Sequence, residues 1–368
     1  MVWYLLNILV LTIAWILLCT APEKKKVGEI EQQEGISKKR RKIFCIIATV
    51  GWILLSGLRD VTVGSDTKAY FRFFTQIKGT SWETIFKMLY AKYFKGQPIK
   101  DPGYSLLEKI FQIFSKDYQW FLVFIAVLFF VGMGIFIYKY SCNPYVSFVL
   151  FSCLFYSFFA VTGHRQTIAT ATGVWIGVEF IKKKKLIPFL ILIALSSTIH
   201  HSVICFLPFY WIAQFKVNKY TLIIYWVAVA LAFLFRDPMF EFLKRVMGYD
   251  KYEEFEGAGS GVFLYLLLGV GVFVTLFYEK LVEGEEGGMI TLSINALFCA
   301  CVFSSLLLIN QSTMRVVQYY SIFLMILLPK ISSIFSKYKE TLVFDVICTA
   351  LMVLLLIFNN PVYKFFWQ

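Results

Sequence analysis

The chain has 368 residues, 59% of them hydrophobic and only 16% charged, with 39 Phe, 21 Tyr and 9 Trp. A water-soluble domain of this length needs far more polar surface, so the composition excludes one. The net charge of +13 sits in clusters between apolar runs, where it reports membrane topology and a preference for anionic lipid or phosphate rather than nucleic acid.

The first apolar run covers 2–20 and is followed, not preceded, by positive charge at Lys24, Lys25 and Lys26. That order fits a first span with an outside N-terminus better than a signal peptide. Further runs lie near 43–58, 118–138, 144–162, 166–181, 186–199, 202–215, 220–235, 261–278, 289–309, 316–329 and 341–358. Together they predict about twelve transmembrane helices, several of them short for a hydrocarbon core of about 30 Å. The reading is a single all-α polytopic integral membrane domain over 1–368.

Placing 21–42 in the cytoplasm and alternating from there puts 19 Lys and Arg in about 55 inside residues and 17 in about 106 outside residues. The density contrast satisfies the positive-inside rule. Two predicted outer loops are long. In 59–117, Trp82, Ile85, Phe86 and Leu89 recur at helical spacing, as do Leu106, Leu107, Ile110 and Phe114. In 236–260, Phe240, Leu243 and Met247 share a face, and Gly257-Ala258-Gly259-Ser260-Gly261 reads as a hinge. These amphipathic helices are expected along the membrane surface, roofing the bundle. The eight cysteines fall in or beside apolar runs without a CxxC pair, so they read as packing residues, and no metal or cofactor is predicted.

Charged and polar groups at the predicted outer ends of spans are the functional candidates, because ionisable groups at membrane depth are costly. Gly57-Leu58-Arg59 leads to Asp66, an expected N-cap, and Tyr70 one turn later. Arg59 offers a planar fork of donors for a phosphate; the alternative is an interfacial arginine snorkelling to headgroups. His164, Arg165 and Gln166 occupy a tight turn, where Arg165 needs an anionic partner and Gln166 can bind sugar hydroxyls. The helix that follows carries a small-residue stripe, Ala169, Gly173 and Gly177, for close helix packing. His200 and His201 end another span; a proton acceptor and a structural histidine are both open readings. Adjacent histidines on a helix point about 100° apart, so both would not face one substrate. Arg315 follows Asn310-Gln311-Ser312-Thr313 at a fourth outer turn. Under one topology Arg59, Arg165, Arg315 and the histidines share a face, which suits a doubly charged group such as pyrophosphate.

These residues resemble the EpsG family of Wzy-like exopolysaccharide and O-antigen repeat-unit polymerases. The similarity runs through Gly57-Leu58-Arg59, Gly64-Ser65-Asp66, Tyr70, Asp101-Pro102-Gly103-Tyr104, Arg165-Gln166-Thr167-Ile168-Ala169, the turn Lys182 to Lys185, His200-His201-Ser202 with Leu207-Pro208, and Arg315 with Leu328-Pro329. Asp101 stands where glutamate is common, and His164 is not part of the pattern. The resemblance implies a GT-C-like, O-antigen-ligase-like helical bundle in the bacterial cytoplasmic membrane, with its site facing outside. It implies transfer of a growing glycan from undecaprenyl pyrophosphate onto an incoming lipid-linked repeat unit, with a flippase and a chain-length copolymerase as partners. In that scheme Arg165 and Arg315 stabilise the leaving pyrophosphate, with help from Arg59. His200 is the base, and Asp66, Tyr70, Asp101, Gln166, His164 and His201 contact sugars or orient the arginines. An O-antigen-ligase-like or other lipid-dependent transferase, a lipid-linked glycan flippase and an assembly scaffold are the rival readings. A flippase would line a midplane pathway with charge, whereas here the polar clusters lie at one face.

Overall fold

The computed structural model describes residues 1–19, 23–27, 30–34, 37–154, 156–247, 261–283, 288–335, 338–359 and 361–368. The proposed hinge residues Gly257 to Ser260 lie outside them. The described chain is helical apart from one antiparallel hairpin, in which Glu23–Val27 pairs with Ile30–Glu34; the sequence reading had no strand there. Packing divides the chain into two compact units that interleave along the sequence. The first takes Met1–Gly79, Ile110–Thr167 and Phe335–Gln368; the second takes Thr80–Lys109 and Ile168–Ile334.

Among the described residues, four helices are long and apolar enough to cross a membrane: Val2–Cys19, Tyr118–Tyr140, Val262–Val282 and the Met289–Leu308 stretch. The number rises to seven if three bent pairs count as single spans. These bends, of 71°, 83° and 59°, separate Pro144–Cys153 from Tyr156–Thr162, Lys219–Leu234 from Arg236–Arg245, and Gln311–Ser321 from Leu324–Ile334. The support is therefore for four to seven spans, where the apolar runs predicted about twelve. Hydropathy registers the runs but not the breaks inside them. Leu186–Ile199, His201–Ile212 and Asp345–Phe358 are apolar but short, and Lys38–Gly57 opens on five basic residues.

In the first unit, Val2–Cys19 buries Tyr4, Ile8, Leu11 and Trp15, and Lys38–Gly57 buries Phe44, Ala48, Trp52 and Leu55. Both sets follow the three-and-four spacing that puts side chains on one helix face. Trp52 stacks on Phe130 of the Tyr118–Tyr140 helix at 5.5 Å and meets Phe151 edge-on at 4.9 Å. Arg41 donates to the carbonyls of Tyr138 and Ser141. The last residues return to the C-terminal end of Lys38–Gly57: Asp60 N–H donates to the Lys364 carbonyl at 2.9 Å and Phe366 N–H to the Leu58 carbonyl at 3.0 Å.

In the second unit, Trp82–Lys95 and the bulk of Pro102–Phe111 form the expected loop helices. Ser81 caps the first of them, accepting from Thr84 N–H, and Gly96 closes it with φ +64°. The small-residue stripe packs as expected: a Cβ at Gly173 would lie 2.7 Å from Val203, and one at Gly177 3.3 Å from Phe189. Along this line the helix widens into a π-helical stretch, Thr170–Ile176. Thr172 and Ser196 hydroxyls bond across the contact at 2.8 Å. Asn295, fully buried, accepts from the Tyr225 hydroxyl and donates to the Ile212 and Phe215 carbonyls. The Arg236–Met247 helix follows Lys219–Leu234 across an 83° bend and buries Leu243.

Candidate functional site

Each unit holds one cluster of the predicted residues. In the first unit Arg59 follows the Lys38–Gly57 helix at its C-terminal end, where its backbone bridges to Phe365. Its side chain is only 1% exposed. One guanidinium nitrogen donates to the Ser56 carbonyl and, at 3.1 Å, to the Ser56 hydroxyl; the other reaches His164 Nε2 at 2.8 Å. Arginine can only donate, so Nε2 is an acceptor and His164 is the neutral tautomer with its proton on Nδ1. That nitrogen lies 3.5 Å from the Tyr118 hydroxyl.

Tyr70 stacks on the His164 ring at a centroid distance of 4.3 Å and an angle of 15°. Its own ring carries the Arg165 guanidinium, whose Cζ is 5.5 Å from the Tyr70 centroid and 5.9 Å from that of Phe73. The order is Arg59, His164, Tyr70, Arg165: two cations separated by two stacked rings. A neutral imidazole beside two guanidiniums avoids a third like charge, and the ring faces offset part of the repulsion between the two that remain. Arg59 and His164 are buried, whereas Arg165 and Tyr70 are both half-buried, so these last two members of the stack keep exposed surface.

Tyr70 is placed by its helix start. Gly64 takes φ +93°, a conformation open to glycine, and Asp66 stands at the N-cap position with its carbonyl accepting Tyr70 N–H at 3.0 Å. Gln166 is 2% exposed and His164 fully buried. The sequence reading put Arg59, His164 and Gln166 against substrate; the structure buries all three, with Arg59 and His164 stacked behind Tyr70 and Arg165.

The second unit joins Asp101 to the histidines. The Leu186–Ile199 helix ends with His200 N–H still bonded to the Ser196 carbonyl, but His200 itself is extended, φ −151° and ψ 108°. A tight 3₁₀ turn, His201–Phe206, follows. The histidines are therefore not neighbours on a helix, as the sequence suggested; a break separates them, with His200 buried and His201 half-buried. Asp101 Oδ2 faces His200 Nδ1 at 3.4 Å and Asp101 Oδ1 accepts His201 N–H at 3.3 Å. To do so Asp101 adopts φ +44°, left-handed and directly before Pro102. Asp is among the few side chains that tolerate this region, and strained backbone of this kind concentrates at functional sites.

The rest of that motif has equally local reasons. Pro102 opens a helix, where its missing N–H costs nothing. Gly103 lets the helix touch Thr198: a Cβ there would fall 2.6 Å from Thr198 Cβ and 2.7 Å from its carbonyl carbon. Tyr104 is fully buried. Ser202 bonds to the Tyr319 hydroxyl at 3.0 Å. Arg315 is half-buried at the start of Met314–Ser321, after a turn capped by Asn310.

The sequence model of the EpsG family matches residues 42–367, nearly the whole chain. The chain belongs to the EpsG family. No curated protein and no solved structure matches it. EpsG membership identifies a bacterial membrane protein linked to exopolysaccharide biosynthesis and to glycosyltransferase-like polymerase activity. The matched span contains both clusters.

Sequence reasoning missed Ser56, Phe73 and Tyr118 as supports of the stack. Ser56 is legible only as the residue before the Gly57-Leu58-Arg59 motif, while Phe73 and Tyr118 read as two more aromatics among many. All eight cysteines are free thiols, and among the described residues no group of three or more His, Cys, Asp or Glu is placed to hold a metal.

Proposed function

We propose that this EpsG-family protein is a polysaccharide polymerase. It transfers a growing glycan from undecaprenyl pyrophosphate onto an incoming lipid-linked repeat unit, at the outer face of the bacterial cytoplasmic membrane. The observation that carries the reading is the Arg165 guanidinium laid over Tyr70 and Phe73 and backed through His164 by Arg59. A preorganised cation at an apolar boundary is what a departing diphosphate requires.

In the reaction, an acceptor sugar hydroxyl oxygen bonds to the anomeric carbon of the growing chain. The bond from that carbon to the lipid pyrophosphate breaks, and its electron pair leaves on the phosphate oxygen. Arg165 and Arg315 stabilise that charge; losing one such contact costs about 2.7–4 kcal/mol of barrier. His200 accepts the hydroxyl proton. With Nδ1–H given to Asp101, the proton goes to Nε2, and the carboxylate stabilises the imidazolium formed. General-base help of this kind is worth on the order of 10²–10⁴ in rate. Asp101, proposed from the sequence to hold sugars or arginines, is better read as the group that orients His200.

The finer expectations belong to the same proposal: a GT-C-like bundle of about twelve spans, a flippase that delivers the repeat unit, and a copolymerase that sets chain length. Reconstituting the purified protein with a lipid-linked repeat unit should yield a ladder of glycan lengths. A single transfer product would favour a ligase instead. Arg165→Ala should abolish the ladder, and a variant that leaves length and yield unchanged in complementation removes the proposal.

A further inference from the structure

Beside the guanidinium stack, in the same unit, lies a pocket of about 370 Å³ whose lining includes Asp60, Phe71, Asp117, Gln119, Trp120 and Phe366. Its size is within the range of small-molecule sites, about 300–1,000 Å³. Tyr118 forms part of its wall and ties it to the stack, since the Tyr118 hydroxyl bonds to the Thr67 carbonyl at 3.3 Å and lies beside His164. Three aromatic faces remain open: Phe71 is 41%, Trp120 62% and Phe366 48% exposed.

The polar lining is acceptor-rich. Asp60 Oδ1 takes the Thr62 hydroxyl at 2.6 Å and the Thr62 N–H at 2.9 Å. These bonds hold the Asp60 carboxyl below the ordinary carboxylate range, so it stays anionic at neutral pH. Asp117 Oδ1 caps the following helix, accepting Gln119 N–H at 2.9 Å. The Gln119 amide donates to the Gly57 carbonyl, which leaves its oxygen as a further acceptor. The lining contains two carboxylates and no cation; Lys364 lies outside it, near Asp60.

This charge pattern selects the occupant. A phosphate or pyrophosphate is repelled by two carboxylates. An acyl chain would bury carboxylate oxygens against hydrocarbon, which is costly. A pyranose presents hydroxyl donors around its rim and apolar C–H faces above and below, matching acceptors beside aromatic rings. We propose that the pocket is a glycan subsite that takes an uncharged or amino-bearing pyranose of the substrate chain. It holds the sugar while the neighbouring arginine holds the diphosphate. The proposal rests on the polymerase reading for its biological ligand but not for its binding chemistry.

The probe is a set of neutral fragments from limited hydrolysis of the host's own polysaccharide, titrated calorimetrically into the full chain in detergent. Inorganic pyrophosphate serves as the charged control. The fragments should bind. Trp120→Ala and the double change Asp60→Asn with Asp117→Asn should each weaken binding about 10-fold or more, with melting temperatures close to the wild type because Trp120 is 62% exposed and asparagine keeps the Oδ1 acceptor at both positions. In cells the same variants should shorten the polymer without abolishing it. Arg165→Ala should bind fragments like the wild type while making no ladder.

Unchanged affinity and polymer length in both pocket variants would overturn the subsite and leave the polymerase reading standing. Fragment binding that depends on these residues, in a wild-type protein that never makes a ladder, would do the reverse. Phosphatidylethanolamine retained by the wild type and lost from the variants, with no fragment binding, would replace the sugar with a lipid headgroup and overturn the proposal.

Discussion

Gly103→Ala perturbs the second cluster without touching either of its ionisable groups. The new Cβ would sit 2.6 Å from Thr198 Cβ and 2.7 Å from the Thr198 carbonyl carbon, about 1 Å inside a normal carbon contact. A side-chain hydroxyl could rotate away, but the backbone carbon cannot, so the Pro102–Phe111 helix must retreat from the end of Leu186–Ile199. Overpacking of this kind costs about 1–3 kcal/mol, which a chain with a large core survives. The Asp101–His200 contact does not survive it as easily. Asp101 is two residues before Gly103, His200 is two after Thr198, and the pair is already 3.4 Å apart. A shift on the order of 1 Å breaks it and forfeits much of the 10²–10⁴ assigned to an oriented base.

The assay is the glycan ladder from reconstituted protein, with a detergent melting curve on the same sample. Melting should fall by a few degrees while turnover falls at least about 100-fold. Adding Thr198→Ala should not restore turnover, because it removes the hydroxyl and leaves Cβ and the carbonyl carbon in place. Wild-type turnover in Gly103→Ala, or full rescue by Thr198→Ala, would refute the reasoning.

Three further outcomes follow from particular contacts. Arg59→Lys keeps the charge but replaces the two guanidinium nitrogens that meet Ser56 and His164 with a single ammonium; polymer yield should fall on the order of 10-fold to 100-fold with Arg165 intact, and a wild-type ladder would remove Arg59 from the supporting role. Gly64→Ala must accept φ +93° and a Cβ 2.7 Å from Thr67 Oγ1, a strain of about 1–3 kcal/mol at the start of the helix that carries Tyr70; loss of activity with a small drop in melting is expected, and no change in either would count against it. Asn295→Ala strands the Tyr225 hydroxyl and two carbonyls, costing about 2–4 kcal/mol; melting should fall well below wild type, and because Asn295 lies in neither cluster, turnover per folded molecule should be retained.

Much of the molecule is determined by its amino acids alone. Apolar runs too long for a soluble core fixed the membrane class, and the three-and-four spacing of Tyr4, Ile8, Leu11 and Trp15 set which face of a helix is buried. Capping bonds at Ser81 and Asp117 set where their helices begin, because those bonds are local. The glycine stripe at Gly173 and Gly177 announced close packing for the same reason: only the missing Cβ matters. Candidate residues were legible too, since an arginine or histidine at the edge of an apolar run is expensive wherever the chain folds.

What those residues touch was not legible. That His164 is neutral follows from Arg59 meeting its Nε2 across 105 positions, and Asp101 meets His200 across 99; no local pattern encodes either. The breaks that bend three apolar pairs by 59° to 83° are also invisible to hydropathy, which sums residues without regard to direction. Composition and spacing thus decided solvent, helix faces and a shortlist of costly side chains. Only the tertiary fold decided which members of the shortlist are buried and which stay half-exposed, because burial and hydrogen-bond partners are set by distant parts of the chain.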